Sequence, residues 1–259
     1  MKLKDGYHIL EKLQKLGFIR NSDNIESIKQ KLSEKLDSEK IKVLIIEDHQ
    51  LIIEAYAITF GMTSKSLPHY NFELETATSC KEAILKLKTH TGYDLVILDI
   101  RLPPYPEENI YSGEDIAHWM DKNLNPKPKI IINTFFNDDY RLYNLYKNID
   151  PDGFLTKDEA STASISEAIE TVLESPPYYS KLILNMIRKN FSKPALLDDI
   201  DRKLIYLLSM GASTKNLTDE LAYSKTSVEK RKKRIIEMLG VEGNDLRSLI
   251  TTAKEKGFI

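Results

Sequence analysis

The chain has 259 residues, 41% hydrophobic and 29% charged, with 37 Lys and Arg against 39 Asp and Glu and a formal net charge of −2. That length makes two domains the expectation, and near-neutral charge excludes a chain that coats nucleic acid along its whole surface, so any basic patch is local. No apolar run approaches the ~20 residues of a membrane span, the N-terminus lacks a signal-peptide core, and the single Cys80 excludes an intrachain disulfide, which together suit a reducing cytoplasm.

In residues 1–40, Ile9, Leu10, Leu13, Leu16 and Phe18 form one helical face, and a second helical pattern starts at Asn24-Ile25 and runs through Ile28, Leu32 and Leu36. This reads as a helical extension of unknown role that packs on the rest of the chain or pairs two protomers. From Ile41 a regular alternation begins: strand 41–47, helix 49–60, an edge strand at 72–77, helix 80–88 capped by Ser79, strand 94–99, a Pro-rich loop 102–110, and helix 112–123 capped by Ser112. Strand 129–134, helix 138–147, strand 153–156 and helix 160–174 complete it. Five strands alternating with helices predict a doubly wound, five-stranded parallel sheet over 41–175. Ser175-Pro176-Pro177 breaks the last helix, and 176–196 reads as a linker with a helical piece. Residues 197–259 carry only short helices: one with a capping-box start at Asp198 and Asp201, one at 214–222, one at 225–239 capped by Ser224, and one at 244–256. This predicts a small all-α second domain.

The chemistry gathers at strand ends. The apolar run 95–98 ends in Asp99, 43–46 ends in Glu47-Asp48, 130–133 ends in Thr134, and 153–155 runs to Lys157. Open α/β sheets bind at the carboxyl ends of their strands, so carboxylates, a hydroxyl and an ammonium converge, a set suited to a divalent cation and a phosphoryl group. The five histidines show no metal-ligand spacing, and no Gly-rich phosphate loop is present.

On Val43–His49, Asp94–Pro103, Ile131–Thr134 and Gly153–Asp158, residues 41–174 resemble the receiver domain of bacterial two-component response regulators. The resemblance implies that Asp99 accepts a phosphoryl group from a sensor histidine kinase, that Mg²⁺ is held by Glu47, Asp48, Asp99 and the Arg101 carbonyl, and that Thr134 and Lys157 contact the phosphoryl oxygens. It further implies a switch in which Thr134 moves and Phe154, three residues before Lys157, responds. Arg101 and Phe136, two residues after Asp99 and Thr134, are expected to shield the acyl phosphate. A phosphatase of the Asp-nucleophile type would need a second Asp where Arg101 stands, so an enzyme is not expected.

Residues 197–259 resemble the LuxR/FixJ-type (NarL-like) helix-turn-helix domain on Leu207–Gly211, Ser224-x-x-Ser-Val228 and Leu239-Gly-Val. The segment 225–234 carries Lys225, Lys230, Arg231, Lys232, Lys233 and Arg234 against Glu229 alone, the electrostatic footprint of a DNA-reading helix. The resemblance places Glu229, Lys230 and Lys233 at base edges, and Lys215, Lys225, Thr226 and Ser227 at phosphates, with Ser224 at the helix start and Arg234 within the basic run. It also makes the last helix a dimerisation surface. The expected protein is a phosphorylation-dependent transcriptional regulator, with double-stranded DNA, a kinase and a second copy as partners. In it, phosphorylation would favour dimerisation and expose the basic helix. The alternative is a phosphorylation-independent DNA-binding regulator whose receiver is an interaction module.

Overall fold

The structure is a computed structural model that describes residues 38–90, 92–136, 138–190, 197–241 and 245–259. The residues of the N-terminal extension before Ser38 lie outside the described residues.

Runs of β-branched residues with both faces covered form the strands. Strands β1 (Glu39–Ile46), β2 (Tyr70–Ala77), β3 (Leu95–Leu98), β4 (Lys129–Thr134) and β5 (Gly153–Thr156) pair in parallel in the order β2-β1-β3-β4-β5. In β3 and β5 every residue is buried, whereas the edge strand β2 alternates. Helices α1 (Gln50–Ser66) and α5 (Thr162–Glu174) cover one face of the sheet, and α2 (Cys80–Thr89), α3 (Gly113–Asn123) and α4 (Asp139–Ile149) the other. Helix α1 runs six residues past its expected end at Phe60. In the added turns the Thr59 and Thr63 hydroxyls spend their donors on the Ala55 and Thr59 carbonyls, and the buried Thr63 hydroxyl meets Ser166 on α5 at 2.8 Å, a tertiary contact absent from the local pattern.

Among the described residues the sheet has six strands, not five. Tyr178–Tyr179 forms β6, parallel to β5, with Tyr178 opposite Gly153 and Tyr179 opposite Phe154. Helix α6 (Lys181–Asn190) follows and packs on α4 and β5, burying Ile183 and Met186 in the receiver core. Much of the expected linker is therefore part of the first domain. Its anchor is Glu159, whose carboxylate accepts the Leu182 amide at 3.1 Å and the Ser180 hydroxyl, tying the start of α6 to the loop after β5. A two-residue strand after two prolines leaves almost no periodic signal, which is why the sequence reads as a linker there.

The second domain comprises α7 (Asp199–Ser209), α8 (Thr214–Leu221), α9 (Lys225–Leu239) and α10 (Leu246–Glu255), packed around Leu204, Ile205, Leu208, Val228, Ile235 and Leu249. Asp198 and Asp201 form the expected capping box, Ser224 accepts from the Ser227 amide to cap α9, and Gly240 ends α9 at φ 64°.

Candidate functional site: an acidic pocket at the strand ends, joined to a basic helix

Asp99 follows β3, and Glu47 and Asp48 follow β1, so parallel pairing of these strands brings their carboxylates together. Lys157, just past β5, reaches across β4: its Nζ lies 2.7 Å from Asp99 Oδ2 and 2.6 Å from Glu47 Oε2, with all three side chains almost fully buried. The other Asp99 oxygen accepts the Ile100 amide at 2.6 Å and the Arg101 amide at 3.3 Å. Burial raises the Glu47 pKa, as does the Asp99 charge, while the hydrogen bond from Lys157 opposes the shift. The carboxylate oxygens of Glu47, Asp48 and Asp99 lie within 4.8 Å of one another, a hard oxygen donor set of the kind that suits a small divalent cation.

Thr134 ends β4, buried, and its carbonyl accepts the Lys157 amide at 2.8 Å, so hydroxyl and ammonium belong to adjacent strand ends. Phe154 is fully buried, already turned into the core, with β6 paired to its backbone. Gly113 opens α3 directly against the site: a Cβ there would lie 2.1 Å from the Asp99 carbonyl oxygen. Two residues here were not singled out from the sequence. His49 sits 2.9 Å from Glu47 Oε1 and 2.7 Å from Asp48 Oδ1, with its pKa raised by the Glu47 hydrogen bond and the Asp48 charge. Phe135 lays its half-exposed ring over the Lys157 ammonium at 4.7 Å. His49 closes the Val43–His49 run without a predicted role, and Phe135 acts through its position relative to Lys157 on another strand end.

The second domain docks on α3 and α4. Glu114, fully buried on α3, receives Arg141 of α4 at 2.7 Å and Arg202 of α7 at 2.7 Å, with Asn148 donating at 3.0 Å. Arg202 also pairs with Asp115 at 3.1 Å. Burial alone would raise the Glu114 pKa, but the two guanidiniums overcome it and hold the carboxyl down to about 2. The rings of Tyr111 and Tyr206 meet at 4.2 Å across the same joint. Phe136, with the Arg101 and Arg141 guanidiniums at 5.1 and 5.3 Å from its ring, seats the turn after α10: Gly257, at φ 74°, packs closely against the ring, and the Gly257 carbonyl accepts Arg141 Nε at 3.2 Å. A Cβ at Gly257 would come within 1.8 Å of the ring. Gly257→Ala is therefore expected to weaken domain docking by about 1–3 kcal/mol, seen as faster proteolysis between the domains with each domain's own unfolding unchanged.

On α9, Lys225, Thr226, Glu229, Lys230 and Lys233 are exposed, as is Lys215 on α8, and Ser227 is half-buried beside the Ser224 cap. The ion pairs of Arg231 and Arg234 run within their own domain. Arg231 pairs with Asp198 at 2.8 Å and with Asp201, and Arg234 pairs with the fully buried Asp201. Arg234, about half exposed, thus also serves the α7–α9 junction: a buried carboxylate needs a cation, and this one has captured two. The basic face is already open to solvent, so what the receiver holds is α7 and the turn after α10, not the basic helix as expected.

Similarity to known proteins decides the family. The response regulator receiver domain family matches residues 43–170. Residues 43–170 of this chain are a response regulator receiver domain. "Oxygen regulatory protein NreC" of Staphylococcus aureus is 22% identical over 216 residues, covering 78% of this chain and 92% of that protein, and the protein of the same name from Staphylococcus epidermidis is 22% identical over 218 residues. Among solved structures, RcsB from Salmonella enterica serovar Typhimurium, bound to promoter rprA in the presence of phosphomimetic BeF3-, aligns with a TM-score of 0.56 at 17% identity, over 83% of this chain and 99% of that one. A second Salmonella typhimurium RcsB structure aligns with the same TM-score of 0.56 over 84% of this chain. The structural likeness extends through both domains, so the receiver domain precedes an all-helical domain. No helix among the described residues is long and apolar enough to cross a membrane.

Proposed function

We propose that this response regulator accepts a phosphoryl group on Asp99 and thereby governs DNA binding by its helical domain to regulate transcription. The observation that carries the reading is the Asp99–Lys157–Glu47 contact at three strand ends. An Asp99 oxygen attacks the phosphorus of a phosphohistidine on a sensor kinase. A P–O bond forms, the P–N bond breaks with its electron pair going to the imidazole, and an acyl phosphate results. Lys157 is released from Asp99 to pair with a phosphoryl oxygen, while the Thr134 hydroxyl donates to another. Glu47, Asp48, Asp99 and the Arg101 carbonyl would hold Mg²⁺, which supplies positive charge to the transferring group. Arg101 and Phe136 are engaged in the domain joint, so shielding of the acyl phosphate would depend on docking. Phe154 is the switch aromatic of this reading.

Motion at Thr134 reaches Phe136 two residues on, and so the seat of Gly257. Loosening that seat frees the turn after α10, the helix proposed to dimerise. Two copies would set two α9 helices about 34 Å apart on an inverted repeat. Lys225, Thr226, Ser227 and Lys215 would hold phosphates, with Glu229, Lys230 and Lys233 at base edges. Lys230→Ala and Lys233→Ala are each expected to weaken operator binding by about 1–3 kcal/mol with folding intact. Arg231→Ala, by contrast, should lower the stability of the helical domain, a difference that thermal unfolding beside DNA titration resolves.

The test is treatment with acetyl phosphate or beryllofluoride with Mg²⁺, followed by mass spectrometry, sedimentation and DNA titration. Addition of one phosphoryl group by acetyl phosphate, with tighter DNA binding under either treatment, is expected. DNA binding indifferent to both would favour the phosphorylation-independent alternative.

A further inference from the structure

The joint between the two domains holds a cavity of about 250 Å³ with walls from both. Its lining includes Tyr111 and Phe136 on the receiver side and Tyr206 and Phe258 on the helical side. Sites for small molecules have this make-up, apolar and aromatic walls with a few placed polar groups, and they favour domain interfaces. The polar groups here are chiefly cationic: Arg101, Arg141, Arg202 and Lys254 line the cavity, against a single acidic side chain, Asp115. Glu114 holds Arg141 and Arg202, and Asp115 holds Arg202 as well. Even so, the buried Arg202 keeps its Nε–H without an acceptor among the described residues, and a buried donor of that kind calls for a partner. Arg101 and Lys254, one from each domain, are exposed and pair with no carboxylate among the described residues. The Arg101 guanidinium lies instead 5.1 Å from the Phe136 ring, on the aromatic wall itself. A lone surface cation needs no ligand. Two from different domains, on one aromatic cavity beside an unused buried donor, make a site.

We infer that this cavity binds a small aromatic carboxylate, with its ring against the tyrosine and phenylalanine rings and its carboxylate held by Arg101 and Lys254. The size sets the class: ligand pockets run upward from about 300 Å³, so this one takes a molecule of about a dozen non-hydrogen atoms and is too small for a nucleotide. Ring-on-ring contacts favour an aromatic body over an aliphatic one. A guanidinium presents paired N–H donors that match a carboxylate. Arg141, whose guanidinium lies 5.3 Å from the Phe136 ring and 4.6 Å from the Phe258 ring, adds positive charge behind the aromatic wall. Because the walls belong to both domains, a bound molecule favours the docked arrangement over the separated one by its differential affinity for the two. The joint thereby gains a chemical input separate from Asp99, and it stands whether or not Asp99 accepts a phosphoryl group.

Equilibrium dialysis of the full-length, unphosphorylated protein against cinnamate, a ring with a carboxylate on a short arm, tests this. One cinnamate per chain is expected. Cinnamamide, the same body without the charge, should bind at least tenfold more weakly. Arg101→Gln and Lys254→Gln should each weaken cinnamate binding severalfold, and both variants should melt like the wild type because both side chains are exposed. Saturating cinnamate should slow proteolysis between the domains severalfold. Affinity unchanged in both variants would place cinnamate elsewhere and overturn the inference. So would the absence of binding at millimolar cinnamate, equal binding of acid and amide, or binding that leaves interdomain proteolysis as it was.

Discussion

Asp99→Asn is expected to abolish phosphoryl uptake from acetyl phosphate or a kinase completely, and with it any phosphorylation-dependent gain in DNA binding, while leaving the fold intact. The amide lacks the anionic oxygen that attacks phosphorus. The fold survives because Lys157 keeps its 2.6 Å contact with Glu47, and the backbone donors at Ile100 and Arg101 still find the retained side-chain oxygen. Intact-mass spectrometry after treatment, beside a thermal melt of the same protein, reads both halves of the prediction. Uptake of a phosphoryl group by the Asp99→Asn variant would move the acceptor elsewhere and remove the basis for the proposed mechanism.

Glu114→Ala is the second large effect. It leaves Arg141 and Arg202 buried against each other without the carboxylate between them, and losing one partner of a buried ionic cluster costs about 3–5 kcal/mol. Because Arg202 belongs to the second domain, the loss falls on docking. The expected result is a larger radius of gyration by small-angle scattering and DNA binding that no longer needs phosphorylation. The pH dependence has a definite sign. The folded-state pKa of Glu114 is depressed from 4.5 to about 2, so its contribution is present above the unfolded value and is lost as pH falls toward about 2. Docking measured between pH 4.5 and 2 should weaken steadily in the wild type, and Glu114→Gln should remove the part of that acid response owed to this carboxyl. A joint indifferent to Glu114→Ala would show that Phe136–Gly257 and the tyrosine pair hold the domains without it.

Position relative to the site strengthens this reading. Glu114 follows Gly113, whose backbone packs on Asp99 and whose amide donates to the Ile100 carbonyl at 2.9 Å. The ionic joint and the acidic pocket are thus carried by adjacent residues of one helix start. A change at Asp99 has two short paths to the second domain, through α3 to Arg202 and through Thr134 and Phe136 to Gly257.

The strands from β1 to β5, the helices between them and the convergence of Asp99, Glu47, Asp48, Thr134 and Lys157 were legible in the sequence, because buried parallel strands are continuous apolar runs and each of these residues follows one directly. So were the caps at Ser79, Asp198 and Ser224, since capping is a local hydrogen bond between neighbours in sequence. What only the tertiary structure decided are relations between residues far apart in the chain. Arg202 neutralises Glu114 across 88 positions, and Arg231 and Arg234 share Asp201 at 30 and 33. Nothing local marks an arginine that pairs with a distant buried carboxylate, as Arg234 illustrates. The strand Tyr178–Tyr179 likewise exists because β5 offers an open edge, not because two tyrosines prefer one. Periodicity and capping are written into neighbouring residues, whereas the partner of a charge is chosen by packing.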